Sequence, residues 1–332
     1  MQKSFIQSLF GWFDLFKSKK ASLPKIKVMT ASTPTDVDTY WEAHTVQFEA
    51  GNKQFHKATD PFPTVDKSLG FLKFRSESYP LMDEKLELWG QHHDEIVLDY
   101  GCGPANDLVG FLLYSQAKKV IGVDVSAKAL NLAARRLALH RFDLERIELI
   151  RISDAAPQIP LDDNSVDYIY CEGVLHHISH PVEILREFYR VLRPGKRVNI
   201  MVYNRNSVFF HLGVAYRQML VLHLFAGMTP DEAAPKTVDG INCPIAHFYR
   251  PQEFAALCRE AGFERIEVDA YFARYELDLL KELGQIALAD ERLPAEQRQF
   301  LSALTYDDRG YPLYENKHAG YGGAYRLTKQ EE

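Results

Sequence analysis

Two short segments carry residue types and spacings able to do chemistry. Val97-Leu-Asp-Tyr-Gly-Cys-Gly-Pro-Ala-Asn-Asp107 is an apolar run that breaks into a glycine turn, and Val120-Ile-Gly-Val-Asp124 is a second apolar run that ends on a carboxylate. Both patterns fit parallel strands whose carboxyl ends meet a ligand. Gly101 and Gly103 let the backbone turn tightly and approach that ligand closely. Asp124 can accept hydrogen bonds from two ribose hydroxyls, so the ligand is expected to carry a nucleoside.

The turn also says which nucleoside. A dinucleotide fingerprint wants a further glycine at position 106, but Asn106 stands there, followed by Asp107. A pyrophosphate would meet Asp107 at the helix start, where a carboxylate already sits against the free N–H groups. A nucleoside without phosphates, S-adenosylmethionine (SAM), suits the loop better. A nicotinamide oxidoreductase shares the strand–turn–acid logic and is the competing enzyme class, with Asn106 against it.

Further segments follow in order: Gly122-Val-Asp-Val-Ser126, Ser153-Asp154, Pro160-Leu-Asp-Asp-Asn-Ser-Val-Asp-Tyr-Ile-Tyr-Cys-Glu-Gly-Val-Leu-His-His177 and Leu185-Arg-Glu-Phe-Tyr-Arg-Val-Leu-Arg-Pro-Gly195. On these motifs the chain resembles the class I SAM-dependent methyltransferases, of the small-molecule type related to the ubiquinone and menaquinone biosynthesis enzymes. The resemblance runs from about Glu95 to Arg205, and departs where Ala105 replaces a usual third glycine. It implies SAM as cofactor, S-adenosylhomocysteine as product, and a doubly wound, mostly parallel, seven-stranded α/β sheet of Rossmann-like type.

Roles follow by position. Gly101 and Gly103 face the methionine end, and Asp99 helps hold its ammonium. Asp124 holds the ribose and Val125 covers one adenine face, while Ser153 and Asp154 end the next strand, where Asp154 can accept the adenine amino hydrogen. Glu172 ends the fourth strand, close to the transferred methyl group, and Arg75 can pair with the SAM carboxylate as a guanidinium fork does. The reaction is an in-line displacement that aligns a nucleophile with the C–S bond and excludes water. A neutral imidazole is the natural base near neutral pH. His176 and His177 are adjacent and cannot both face one substrate; His177 is favoured, with His176 and Tyr203 as further catalytic candidates. His176 and His180 have metal-ligand spacing, but Pro181 disfavours helical geometry at His180, so no metal is expected.

Composition narrows the partners. The chain has 332 residues and a net charge of −6, which speaks against a nucleic-acid backbone and for a small-molecule substrate. Its four cysteines form no C-x-x-C pair, so the cytoplasm is the expected compartment.

Elements alternate strand and helix from Ile96 to Tyr203, which places the motifs on a doubly wound sheet. Residues 1–37 read as an amphipathic helix and linker, 38–94 as a helical cap, 95–205 as the SAM-binding core, 206–250 as a lid insertion and 251–332 as the C-terminal part of the same fold. Within the cap, Asp38 to Phe55 reads as helix and Asp60 to Leu69 as loop; within the lid, Ser207 to Phe225 reads as helix and Gly227 to Tyr249 as loop. Aromatics of the lid suggest an apolar or ring-bearing acceptor, and the histidines favour proton removal from a hydroxyl, hence methylation at oxygen before carbon or nitrogen.

Phe5, Ile6, Leu9, Phe10, Trp12, Phe13 and Phe16 share one helical face beside Lys17, Lys19 and Lys20. Residues 4–20 could pack on the body or a second subunit as a homodimer, lie peripherally in a membrane interface, or cover the active site. Two rivals follow: a membrane-associated lipid or quinone C- or O-methyltransferase, and a non-catalytic subunit of the same fold.

Overall fold

The computed structural model describes residues 22–29, 33–44, 61–156 and 158–331, and the backbone alone of 46–49 and 52–55. The amphipathic segment 4–20 lies outside the described residues. An eight-stranded sheet organises the chain. Its strands are β1 (Ile26–Val28), β2 (Ile96–Tyr100), β3 (Lys119–Asp124), β4 (Ile147–Arg151), β5 (Val166–Glu172), β6 (Leu192–Tyr203), β7 (Arg265–Tyr271) and β8 (Gly322–Thr328). Their spatial order is β1-β4-β3-β2-β5-β6-β8-β7. All neighbours pair in parallel except β8, which runs antiparallel to both β6 and β7.

The chain walks from β2 outward to β4, then returns to lay β5 on the other side of β2. That reversal opens a crevice at the carboxyl ends of β2 and β5, where open α/β sheets bind ligands. Strand side chains alternate between two cores. Val97, Tyr168 and Tyr170 face one, with Leu108, Phe111 and Leu130 from the helices. Leu98, Ile169 and Cys171 face the other, with Leu185, Phe188 and Phe254. Burial on both faces explains why β2, β3 and β5 read as nearly continuous apolar runs.

Sequence and structure agree closely through this core and differ outside it. The sheet has eight strands rather than seven, because Ile26–Val28, inside the expected linker, adds to the edge beside β4. Instead of one helix over 38–55, a helix at Asp36–Ala43 is followed by an antiparallel hairpin, Val46–Glu49 with Asn52–Phe55. Val46-Gln-Phe-Glu49 alternates with the strand period, which is the signal that should have separated it. A helix at Val65–Ser78 enters the expected 60–69 loop. Another, Pro230–Asp239, lies in the expected 227–249 loop, started by a Thr229/Glu232 capping box although Pro235 sits inside it. Helix Pro181–Val191 ends before Pro194-Gly195, and that pair bulges within β6: Val166 faces Leu192 while Tyr168 faces Arg197.

The expected helix after β6 is a π-helix, Phe209–Val221. It packs through Val208, Leu212 and Tyr216 onto Leu279 and Phe300, from helices Arg274–Ala289 and Ala295–Ser302. Among the described residues no helix is long and apolar enough to cross a membrane.

Gly122 on β3 leaves no room for a side chain: a Cβ there would lie 2.7 Å from Leu108 Cδ1 and 2.8 Å from Cys102 Sγ. Gly70, in contrast, faces open space on helix Val65–Ser78. Gly122→Ala is therefore expected to lose about 1–3 kcal/mol by overpacking beneath the glycine turn. Gly70→Ala is expected to gain about 0.5–1 kcal/mol. Urea unfolding of both variants checks the pair, and an unchanged Gly122→Ala midpoint would contradict the packing argument.

Candidate active site

The turn after β2 is held by its neighbour strand. Gly101, Gly103 and Ala105 take left-handed φ of 80°, 52° and 61°. A Cβ on Gly101 would sit 2.2 Å from Val174 Cγ2, so only glycine fits there. Ala105 occupies its left-handed position at a steric cost, where the resembling family has glycine. The N–H groups of Gly101 and Cys102 both donate to the Val123 carbonyl, at 2.7 and 3.0 Å.

Asp124, at the end of β3, accepts from the Gly103 N–H and the Ser126 N–H, each at 2.8 Å. Burial pushes its pKa up to about 6, against the downward pull of those N–H groups. Ser126 then caps helix Ala127–Leu139, accepting from the Ala129 N–H at 3.1 Å, as its position in the sequence suggests. Asp99 is buried, and its Oδ2 has no hydrogen-bond partner among the described residues. Burial, reinforced by Asp107, raises its pKa well above the carboxylate range.

Arg75 comes from helix Val65–Ser78 and is buried between two carboxylates. Its Nη1 donates to Asp107 and its Nη2 to Glu172 at 3.0 Å. Burial works against the guanidinium charge, but Asp107 and Glu172 outweigh it and raise the Arg75 pKa. Glu172 Oε1 accepts from the Tyr271 hydroxyl at 2.9 Å, which ties the end of β5 to β7.

Beyond β4, the Ser153 hydroxyl donates to Asp38 at 2.6 Å, and Asp38 also accepts from the Asp154 N–H at 2.9 Å. The Asp154 carboxylate accepts from the Ser179 hydroxyl at 2.5 Å and from its N–H at 3.2 Å. Asp38 thereby docks helix Asp36–Ala43 over the crevice, and Val37 and Trp41 of that helix form part of its wall.

These elements enclose a cavity of about 180 Å³. Of the residues singled out in the sequence, Arg75, Asp99, Gly101, Gly103, Asp124, Val125, Asp154, Glu172, His177 and Tyr203 line it. Ser153 and His176 do not. The Ser153 hydroxyl is turned to Asp38. His176 is buried against Tyr203, with ring centroids 3.7 Å apart.

His177 reaches the cavity with a defined tautomer. Its Nδ1 lies 2.7 Å from the Ile245 carbonyl, an acceptor only, so Nδ1 carries the proton and Nε2 is the basic nitrogen. Nε2 faces Asp239 Oδ1 at 3.7 Å. The Tyr203 hydroxyl donates to the same Asp239 oxygen at 2.9 Å, and the Tyr40 hydroxyl donates to the Asp239 carbonyl.

Trp41, Tyr79, Asp239 and Tyr321 complete the wall and were missed in the sequence. Tyr79 lies four residues after Arg75 and Asp239 stands before a glycine, and neither pattern by itself marks a cavity wall.

Residues 91–223 match the family described as a methyltransferase domain. An uncharacterized 37.1 kDa protein in transposon TN4556 of Streptomyces fradiae is 39% identical over 106 residues, 31% of this chain and 29% of that protein. Demethylmenaquinone methyltransferase of Bacillus cereus is 22% identical over 222 residues, 65% of this chain and 88% of the relative. Ubiquinone biosynthesis O-methyltransferase of Thiobacillus denitrificans is 29% identical over 175 residues, 52% and 66% of the two chains. The aligned stretch thus spans less than a third of the Streptomyces protein. Residues 91–223 are thus a methyltransferase domain, and over that core the chain is similar to the ubiquinone and menaquinone enzymes. That domain is of the S-adenosylmethionine-dependent kind.

The cavity suits that cofactor. Asp99 presents an unpartnered buried carboxyl oxygen, which a cationic group can satisfy. At the helix start, where a pyrophosphate would need free N–H groups, the Asp107 carboxylate is already locked to Arg75.

Removing the Arg75 charge leaves Asp107 and Glu172 buried without their cation. Arg75→Met is expected to cost about 3–5 kcal/mol. Asp107, whose pKa burial already raises despite Arg75, would then lie further above its unfolded value, so the loss is full at neutral pH and shrinks as falling pH protonates it. Urea unfolding at pH 5 and pH 8 checks the sign; a loss that grows toward acid would contradict it.

Proposed function

We propose that this chain transfers a methyl group from SAM to a hydroxyl oxygen of a small apolar or ring-bearing acceptor. The observation that carries this reading is His177, which lines the cavity with its Nε2 3.7 Å from Asp239 Oδ1, among walls formed by Trp41, Tyr79, Tyr203 and Tyr321. When bound, the cofactor supplies an electrophilic methyl carbon on a sulfonium.

Asp124, each oxygen of which has spent one lone pair on a backbone N–H, keeps a second for the ribose hydroxyls. Asp99 takes the ammonium of the methionine end. Val125 covers the adenine, and Asp154 meets its amino group. Arg75 keeps N–H groups beyond those given to Asp107 and Glu172, and these meet the methionine carboxylate. His177 Nε2 removes the acceptor proton, and the Asp239 carboxylate stabilises the resulting imidazolium. Tyr203 holds Asp239 in place. Val37 and Trp41, latched through Asp38, keep water from the reacting centre.

The ring hydroxyl of a quinol fits this description, and two relatives bear the names of quinone-pathway enzymes. A non-catalytic role fits less well, because the space in front of the glycine turn is a cavity and not packed side chains.

Calorimetric titration with S-adenosylhomocysteine tests the cofactor half. Asp124→Ala is expected to weaken binding at least about tenfold, the equivalent of 1.4 kcal/mol; equal affinity would remove Asp124 from the site. The acceptor half is read from S-adenosylhomocysteine release with catechol and 1,4-dihydroxynaphthalene as probes. His177→Ala is expected to lower turnover by roughly 10²–10⁴-fold, the range for general-base loss, with cofactor affinity kept. Turnover that survives would leave His177 a binding residue.

A further inference from the structure

We infer that the acceptor enters this cavity without negative charge, as a neutral or cationic molecule, and that Glu172 and Asp239 exclude acceptors bearing phosphate or carboxylate. The inference rests on the methyl transfer proposed above and names the chemical class of its acceptor.

Charge around the cavity is one-sided. Six carboxyl groups line it: Asp99, Asp107, Asp124, Asp154, Glu172 and Asp239. Arg75 is the one arginine or lysine among the described residues that does so. Its Nη1 is given to Asp107 and its Nη2 to Glu172. In the proposed complex, its remaining N–H groups go to the methionine carboxylate.

Two hydroxyl donors near the acceptor are committed as well. Tyr203 donates to Asp239 and Tyr271 donates to Glu172. An anionic group there would meet two carboxylates and hydroxyls turned toward them, and a buried charge needs a partner. A neutral phenol loses nothing in this setting. An ammonium would gain from the carboxylates, and from the Trp41 ring where it lines the cavity.

The test needs no prior identification of the acceptor. A small-molecule extract of bacterial cells is separated by ion exchange into anionic, neutral and cationic pools. Each pool is then incubated with the full chain and methyl-tritiated SAM. Labelled product is expected at least about tenfold more abundant in the neutral and cationic pools together than in the anionic pool. In Asp239→Asn that ratio is expected to fall at least about threefold, while S-adenosylhomocysteine affinity, measured by calorimetry, stays in place. Equal or greater labelling in the anionic pool overturns the charge preference and leaves the methyltransferase reading standing. An unchanged ratio in Asp239→Asn removes Asp239 from the selection. Labelling in none of the pools, with cofactor bound, sinks the proposed methyl transfer to small molecules and this inference with it.

Discussion

The guanidinium of Arg75 lies buried between Asp107 and Glu172, and three separate parts of the fold meet on it. Asp107 sits at the start of the helix that follows the glycine turn. Glu172 ends β5 and passes the connection to β7 through the Tyr271 hydroxyl. Arg75 itself belongs to a helix that precedes the whole sheet in sequence. A crevice at a topological switch point is a gap between diverging loops. Here a single cation fixes the width of that gap, since it sets the distance between the turn after β2 and the end of β5. A buried pair of this kind is weak evidence for net stability, and its value lies in geometry.

The carboxylates around the ion pair show what the arrangement costs. Burial raises the Asp99 pKa well above the usual range, raises that of Asp107 despite Arg75, and brings that of Asp124 to about 6. For each, the folded pKa lies above the unfolded one. Their ionisation therefore opposes folding: the fold is unstrained below the unfolded pKa, and stability is lost as pH rises through the folded pKa. For Asp124 that window runs from the ordinary carboxylate value of 3.8 to about 6. A cation bound beside Asp99 favours its charged form and reverses part of this opposition.

How much of this could be read from the sequence depends on where each signal lives. The strands from β2 to β6 were legible because parallel strands buried on both faces are apolar throughout, and the glycine turn and Asp124 sit at their ends. Segments outside that core were less legible. Ile26–Val28 is a strand only because β4 offers an edge. Helix Pro230–Asp239 contains a proline that argues against it locally, and its capping box was the better guide. Pro194-Gly195, a pair that locally favours the end of a helix, is a bulge inside β6, because pairing with β5 resumes beyond it. In each case tertiary pairing decided between two local readings.

The same division runs through the site. The half proposed for the cofactor is local: Asp99 to Asp107 is one turn, and Asp124 to Ser126 and Ser153-Asp154 are two more, all at successive strand ends. The half proposed for the acceptor is assembled from distant pieces. Trp41, Tyr79, His177, Asp239 and Tyr321 come from five different segments, brought together by contacts such as Tyr40 to the Asp239 carbonyl and Asp38 to Ser153. Such a surface leaves no spacing signature, since nothing requires its members to be near one another in the chain. It also frees the two halves from each other. Changes in the helix over the crevice or in the segment around Asp239 can reshape the acceptor wall while the Asp124–Gly103 and Arg75–Asp107 contacts hold the turn unchanged. A sequence of this kind therefore announces its donor plainly, whereas its acceptor must be sought in the charge and shape of the assembled cavity.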